Sequence, residues 1–205
     1  MIVLAESNFV LELALQQEEL EAADRLVHLA EAHEIELVIP ACALFEPYET
    51  LGRRRKQRAA TLEKLRGELR QLARSKAFAD LAEASHSAVR VLFESSVIEA
   101  KGLDDTIRRL MKCSVVTPLS VAVMETALDV QSRFELQPQD AIVFASVVGH
   151  ARERASEPKV FLNKDQSDFS TPKIESYLEL FNCRLLSKFS SGRQFVENHA
   201  RRSPI

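Results

Sequence analysis

The first forty residues confine the fold more than any other stretch. MIVLA (Met1–Ala5) is a short apolar run rich in β-formers, as expected of a strand buried on both faces rather than an alternating edge strand. Leu20, Ala23, Val27 and Ala30 then recur at helical spacing, with Glu18, Glu19, Glu21, Asp24 and Glu31 on the other positions, which predicts an amphipathic helix against a sheet. ELVIP (Glu36–Pro40) is a second apolar run, ended by a proline. Strand, helix, strand with a crossover of this length predicts a parallel pair joined right-handed, and so an α/β domain. One detail resists this pattern: IVLAESNFVLELAL places a carboxylate, a hydroxyl and an amide in the middle of an apolar run.

The remaining chain extends the same theme. Leu62, Leu65, Leu69 and Leu72 form a helical stripe, and Ala84, Ala88, Val91, Ser95 and Ile98 form a second that Gly102 is expected to stop. DDTIRRLMK (Asp104–Lys112) predicts a shorter helix with acids first and bases last. SVVTP (Ser114–Pro118) reads equally as strand or linker, while Leu119–Phe134 and Pro138–Arg154 predict helices. Pro138 suits a first helical position and places Asp140 in the first turn. KVFLN (Lys159–Asn163) is a buried strand and CRLL (Cys183–Leu186) a weaker one. The expected organisation is a single domain over residues 1–190, with an extended helical region at 51–113 and a C-terminal tail at 191–205.

No apolar stretch approaches the roughly 20 residues that span a bilayer, and no basic segment precedes the first apolar run, so neither a membrane anchor nor a secretory leader is expected. Cys42, Cys113 and Cys183 are odd in number and far apart; they read as buried thiols of a cytoplasmic protein. Five glycines and no glycine-rich loop argue against a nucleotide-cradling fold.

Chemistry is sought just past the strands, because ligands of open parallel sheets gather at the strands' carboxyl ends. Acids stand near four such places: Glu6 after MIVLA, Glu46 six residues past Pro40, Asp140 at the start of a helix, and Asp165 after KVFLN with Asp168 three further on. Each alone has a structural explanation as a cap, a dipole partner or a turn residue. Together they would repel unless a cation sits among them, and an oxygen-rich set without clustered histidine or cysteine suits Mg²⁺ or Mn²⁺. Such ions serve phosphodiester hydrolysis.

ESN after the first strand, Glu46 in ALFEPYETL, LQPQDAIVFASV around Asp140 and FLNKDQSDF near the end resemble the PIN-domain nucleases in order and spacing. The resemblance implies a three-layer α/β/α sandwich around a mainly parallel sheet, and Mg²⁺- or Mn²⁺-dependent hydrolysis of RNA. Carried over by position, Glu6, Glu46, Asp140 and Asp165 match the four metal-site acids, with Asp168 assisting; Asn8 matches the polar residue two after the first acid, and Asn163 a supporting residue. The family's usual first acid is aspartate, and the extra methylene of Glu6 moves the carboxylate outward by about 1.5 Å. Pro47 follows Glu46 and removes a backbone donor. A homodimer, and an antitoxin or other protein partner as in toxin–antitoxin pairs, are further expectations from the resemblance.

Charge points the same way. Residues 1–50 carry eleven acids and one base, Arg25, whereas residues 51–76 carry ten bases and two acids. Arg53, Arg54, Arg55, Lys56 and Arg58 precede Arg66, Arg70 and Arg74, which recur every four residues. Like charges at that spacing weaken an isolated helix and are relieved by phosphates, so the stretch reads as an RNA-backbone surface, against the plainer reading of a solvated helix face. Three functions are weighed: a metal-dependent endoribonuclease; a catalytically impaired PIN-like RNA-binding or scaffold protein, suggested by Glu6 and Pro47; and another phosphoryl-transfer α/β domain, disfavoured because the first strand ends in ESN rather than aspartate.

Overall fold

A computed structural model describes residues 1–164 and 169–202, with 81–83, 86–89, 201 and 202 described by backbone alone. Among these the elements run β1 (Ile2–Ala5), α1 (Ser7–Leu15), α2 (Leu20–Glu31), β2 (Glu36–Pro40), α3 (Ala41–Leu72), α4 (Ala79–Ala84), α5 (His86–Cys113), β3 (Ser114–Thr117), α6 (Val121–Phe134), α7 (Pro138–Glu153), β4 (Lys159–Leu162), α8 (Pro172–Glu179), β5 (Cys183–Leu186) and α9 (Phe189–Arg202). They divide into two units, Met1–Pro47 with Asp105–Ile205, and Tyr48–Asp104.

The first unit is built on five parallel strands in the order β3-β2-β1-β4-β5. The chain winds outward from β1 through β2 to β3, then crosses to the other side of β1 for β4 and β5. That reversal requires helices on both faces and gives a three-layer α/β/α sandwich, as the opening βαβ pattern predicts. On one face Ile2, Leu4, Val38 and Phe161 pack with Phe144, Ala145 and Val148 of α7, Ala127 and Val130 of α6, and Ile174, Tyr177 and Leu178 of α8. The alternate strand residues Val3, Leu37, Ile39, Val160 and Leu162 are equally buried and take the opposite face, where α2 packs against α1 and α9. There Gly192 permits close approach, since a Cβ on it would lie 2.4 Å from Leu162 Cδ2.

Several local expectations are revised. The stretch expected as a tail is largely helical: α9 buries Phe189 and Val196, and its first N–H groups are held by the Glu19 carboxylate, which accepts from Phe189 N and Ser190 N. Gly102 does not stop the preceding helix; α5 runs through it with negative φ to Cys113, and the buried Leu103 beside it offsets the roughly 1 kcal/mol a helical glycine costs. SVVT is a strand, at the sheet edge, paired to β2 with Pro40 opposite Thr117. The apolar run after ESN is a helix of its own, α1, which ends where Gln16 turns left-handed at φ 50°, ahead of the helix expected from Leu20 onward.

The second unit brings the parts of α3 and α5 within it alongside one another in opposite directions. Arg58 donates to both Glu99 carboxylate oxygens at 2.7 and 2.8 Å and to Ser95 Oγ at 3.1 Å, and Tyr48 Oη donates to Asp104 Oδ1. Leu62 is buried, Leu65 and Leu69 are half-buried, and Leu72 is exposed, so the leucine stripe fades toward the tip. No helix among the described residues is long and apolar enough to cross a membrane.

Candidate metal and RNA site

The reversal of strand order places a crevice at the carboxyl ends of β1 and β4, where ligands of doubly wound sheets bind. These strands pair with Ala5 opposite Leu162, so Glu6 and Asn163 are the first residues beyond them. Glu6 also answers the question posed by ESN. Its backbone is still extended, at φ −121° and ψ −170°, and its side chain caps α1. Oε2 accepts from Ser7 Oγ and from Asn8 N, each at 2.9 Å. Oε1 is buried and has no hydrogen-bond partner among the described residues.

That division of labour is the site's main chemical feature. A buried, unpaired carboxylate oxygen is costly, and most such atoms in proteins find a partner. Burial pushes the Glu6 carboxyl up to about 7; the Asn8 N–H and the Ser7 hydroxyl pull it down, and the negative charge of Glu46 pushes it up again. An oxygen donor held on one side and bare on the other, with a second carboxylate near, fits a hard divalent cation. Of the expected acids, Glu46 is therefore close enough to Glu6 to act on it electrostatically. It sits half-buried in the second turn of α3, which continues through Pro47. Asp140 is half-buried in the first turn of α7, behind Pro138 and the extended Gln137.

Asn8 is half-buried at the start of α1. Asn163 is 1% exposed and donates its N–H to Leu186 O at 3.1 Å. Asp165 and Asp168 lie outside the described residues. Among the described residues, no three of His, Cys, Asp and Glu are arranged to hold a metal ion, and Glu46 is the acid whose charge acts on Glu6.

Two residues not singled out in the sequence belong to this description. Ser7, 6% exposed, fixes Glu6, and its place directly after the strand-end acid is the signal that could have found it. Thr117 ends β3 with a buried hydroxyl lacking a partner among the described residues; a polar residue closing the apolar run SVVT before Pro118 is its sequence trace.

The basic stretch divides by environment. Arg53, Arg55, Lys56, Arg66, Arg70 and Arg74 are exposed, and Arg54 is half-buried. Arg58 is half-buried and held by Glu99 and Ser95, which makes it a strut of the second unit. Arg70 Nε turns back to Arg66 O at 3.2 Å, and Arg74 lies beyond the end of α3 at Leu72, so the four-residue spacing does not continue as one helical stripe.

A PIN-domain family model matches residues 3–169. No curated protein and no solved structure matches the chain. PIN domains are generally nucleases that act on RNA and typically use Mg²⁺ or Mn²⁺. The match spans both strands of the crevice and the helices that carry Glu46 and Asp140, and the chain belongs to the PIN-domain family.

Proposed function

We propose that this protein is a divalent-metal-dependent endoribonuclease of PIN type. The observation that carries the reading is the bare, buried Oε1 of Glu6 at the switch point of a PIN fold, beside Glu46. Glu6, Glu46, Asp140 and Asp165 would hold Mg²⁺ or Mn²⁺, with Asp168 assisting. When bound, such an ion supplies Lewis-acid activation of the phosphodiester and of the attacking water. The chain's own part is positional. Ser7 and the Asn8 N–H hold one Glu6 oxygen so that the other faces a single direction, the first turn of α7 presents Asp140, and Asn8 and Asn163 orient ligands or the scissile phosphate. In organisation we infer one PIN domain that takes in α9 beyond the expected limit of residue 190, with the helical region 51–113 as its extension.

The test is cleavage of RNA with Mn²⁺ or Mg²⁺ by wild type and by Asp140→Asn. Wild type should cleave and the variant should fall by roughly 10²-fold or more, the scale on which single electrostatic contributors to a transition state act. Equal cleavage by both would reject the assignment.

The exposed arginines of the second unit support an RNA-backbone role, the contribution that a binding or scaffold function would also use. Replacing Arg66 and Arg70 together by alanine should lower the slope of log K against log salt by about 0.7 to 0.9 for each phosphate that is no longer neutralised. Arg58→Ala supplies the contrast. With its side chain engaged by Glu99, its loss should lower the unfolding temperature and leave the slope nearly unchanged. Fluorescence anisotropy with a labelled RNA across a salt series reads both.

A further inference from the structure

We propose that Glu12 and Lys164 are positioning residues for the cation site, the ion pair between buried Glu12 and half-buried Lys164 tying the end of β4 to the helix that Glu6 caps. The proposal rests on the metal-site reading above and adds to it the device that holds the site's two strand ends together.

Glu12 is completely buried, and both its oxygens are used. Oε2 accepts from Lys164 Nζ at 2.7 Å, and Oε1 accepts from Glu19 N at 2.5 Å. Lys164 Nζ also reaches Glu18 Oε2 at 3.4 Å, and the Glu19 side chain in turn holds the start of α9 through Phe189 N, Ser190 N and Ser190 Oγ. An ion pair of this kind is a poor source of stability, because solvent screens its half-exposed lysine and the buried Glu12 bears a desolvation cost. What a charged pair can supply is specificity, a preferred contact that holds its two partners together.

That contact matters because of where the partners sit. Glu12 lies on α1, the short helix whose cap is Glu6. Lys164 follows Asn163, the first residue past β4, whose own N–H is fixed on the other side by Leu186 O. β1 and β4 are neighbours in register. Tying Glu12 to Lys164 therefore links the end of β4 to the element that begins at Glu6.

Charge and position make opposite predictions. A lysine near a cation site repels the cation, so if it acted by charge alone its removal would tighten metal binding. If it positions the site, its removal weakens metal binding. The experiment is Mn²⁺ titration of the full chain by electron paramagnetic resonance or calorimetry, using wild type, Lys164→Met, Lys164→Arg and the double variant Glu12→Leu with Lys164→Met. The double variant replaces the pair with apolar side chains, removing the tether together with the acceptor for Glu19 N, and thermal unfolding establishes that it stays folded; Lys164→Met, which leaves the Glu19 N contact in place, isolates the tether.

Lys164→Met and the double variant should bind Mn²⁺ about tenfold more weakly, as outer residues that orient metal ligands typically cost when removed. Lys164→Arg should restore binding close to wild type. Unchanged or tighter binding by the folded double variant overturns the positioning role. Failure of wild type itself to bind Mn²⁺ overturns the metal-site reading and this proposal with it, a result distinct from loss confined to the variants.

Discussion

The Glu6→Gln variant is expected to lose RNA cleavage by roughly 10²-fold or more, and with it the pH dependence that Glu6 imposes on the stability of the metal-free protein. Burial raises the folded carboxyl from 4.5 to about 7. Below the unfolded value the group is protonated in both states and imposes nothing. Between 4.5 and 7 the unfolded chain releases the proton while the folded chain keeps it, so stability falls as pH rises, and it levels off above 7. The total fall is about 3 kcal/mol at 1.36 kcal/mol per pH unit. Glutamine retains an acceptor for Ser7 and Asn8 but cannot titrate. Urea unfolding of the metal-free proteins at a series of pH values should show the fall in wild type and a flatter profile in the variant. Saturating Mn²⁺ should stabilise wild type at pH 8, where the bare oxygen is charged, and have little effect on the variant. A wild-type profile flat from pH 4.5 to 8 would mean that Glu6 is not the strained carboxylate its surroundings make it.

What the sequence could convey about this molecule follows the physics of each element. The buried strands MIVLA, ELVIP and KVFL were readable because parallel strands covered on both faces are uniformly apolar, and the acids at their ends stood out for the same reason. β3 was ambiguous because it is an edge: Val115 and Val116 are 44% and 37% exposed, so its apolar run reflects no burial that periodicity could register. The break after α1 was hidden because Gln16 carries no mark of the left-handed turn it adopts. Gly102 misled in the opposite sense, since burial of the adjacent Leu103 overrides a local helix breaker.

At the site, Glu6 was visible from its place after a strand, but the unequal use of its two oxygens depends on Ser7 and Asn8 folding back over it. Glu12 is the instructive case. It looks like any acid on an amphipathic helix, yet it is fully buried, because its partner Lys164 comes from a strand end 152 residues away. Pairings of that range leave no local trace. Arg58 was likewise inseparable by sequence from its basic neighbours, and only the facing Glu99 distinguishes strut from surface.

Phe144→Ala is expected to be the most destabilising single change on the sheet's aromatic face, and it links the core to the site. Phe144 is fully buried on α7, with its ring centre 5.4 Å from that of Phe134, 5.8 Å from Phe169 and 6.3 Å from Tyr177. Truncation removes the shared member of these pairs and leaves a cavity that rigid neighbours on α6 and α8 cannot fill, at a cost of about 3–5 kcal/mol. For a chain of this size that lowers the unfolding midpoint by roughly 6–20 °C. Phe144→Leu, which fills most of the space, should cost a minor part of this. Asp140 lies one turn before Phe144 on the same helix, so the ring that anchors α7 also sets where its first turn stands. Mn²⁺ affinity measured well below the unfolding transition should therefore drop in Phe144→Ala and be largely kept in Phe144→Leu. A large stability loss with wild-type affinity would show that Gln137 and Pro138 hold the first turn by themselves, and that core packing and metal geometry are independent in this fold.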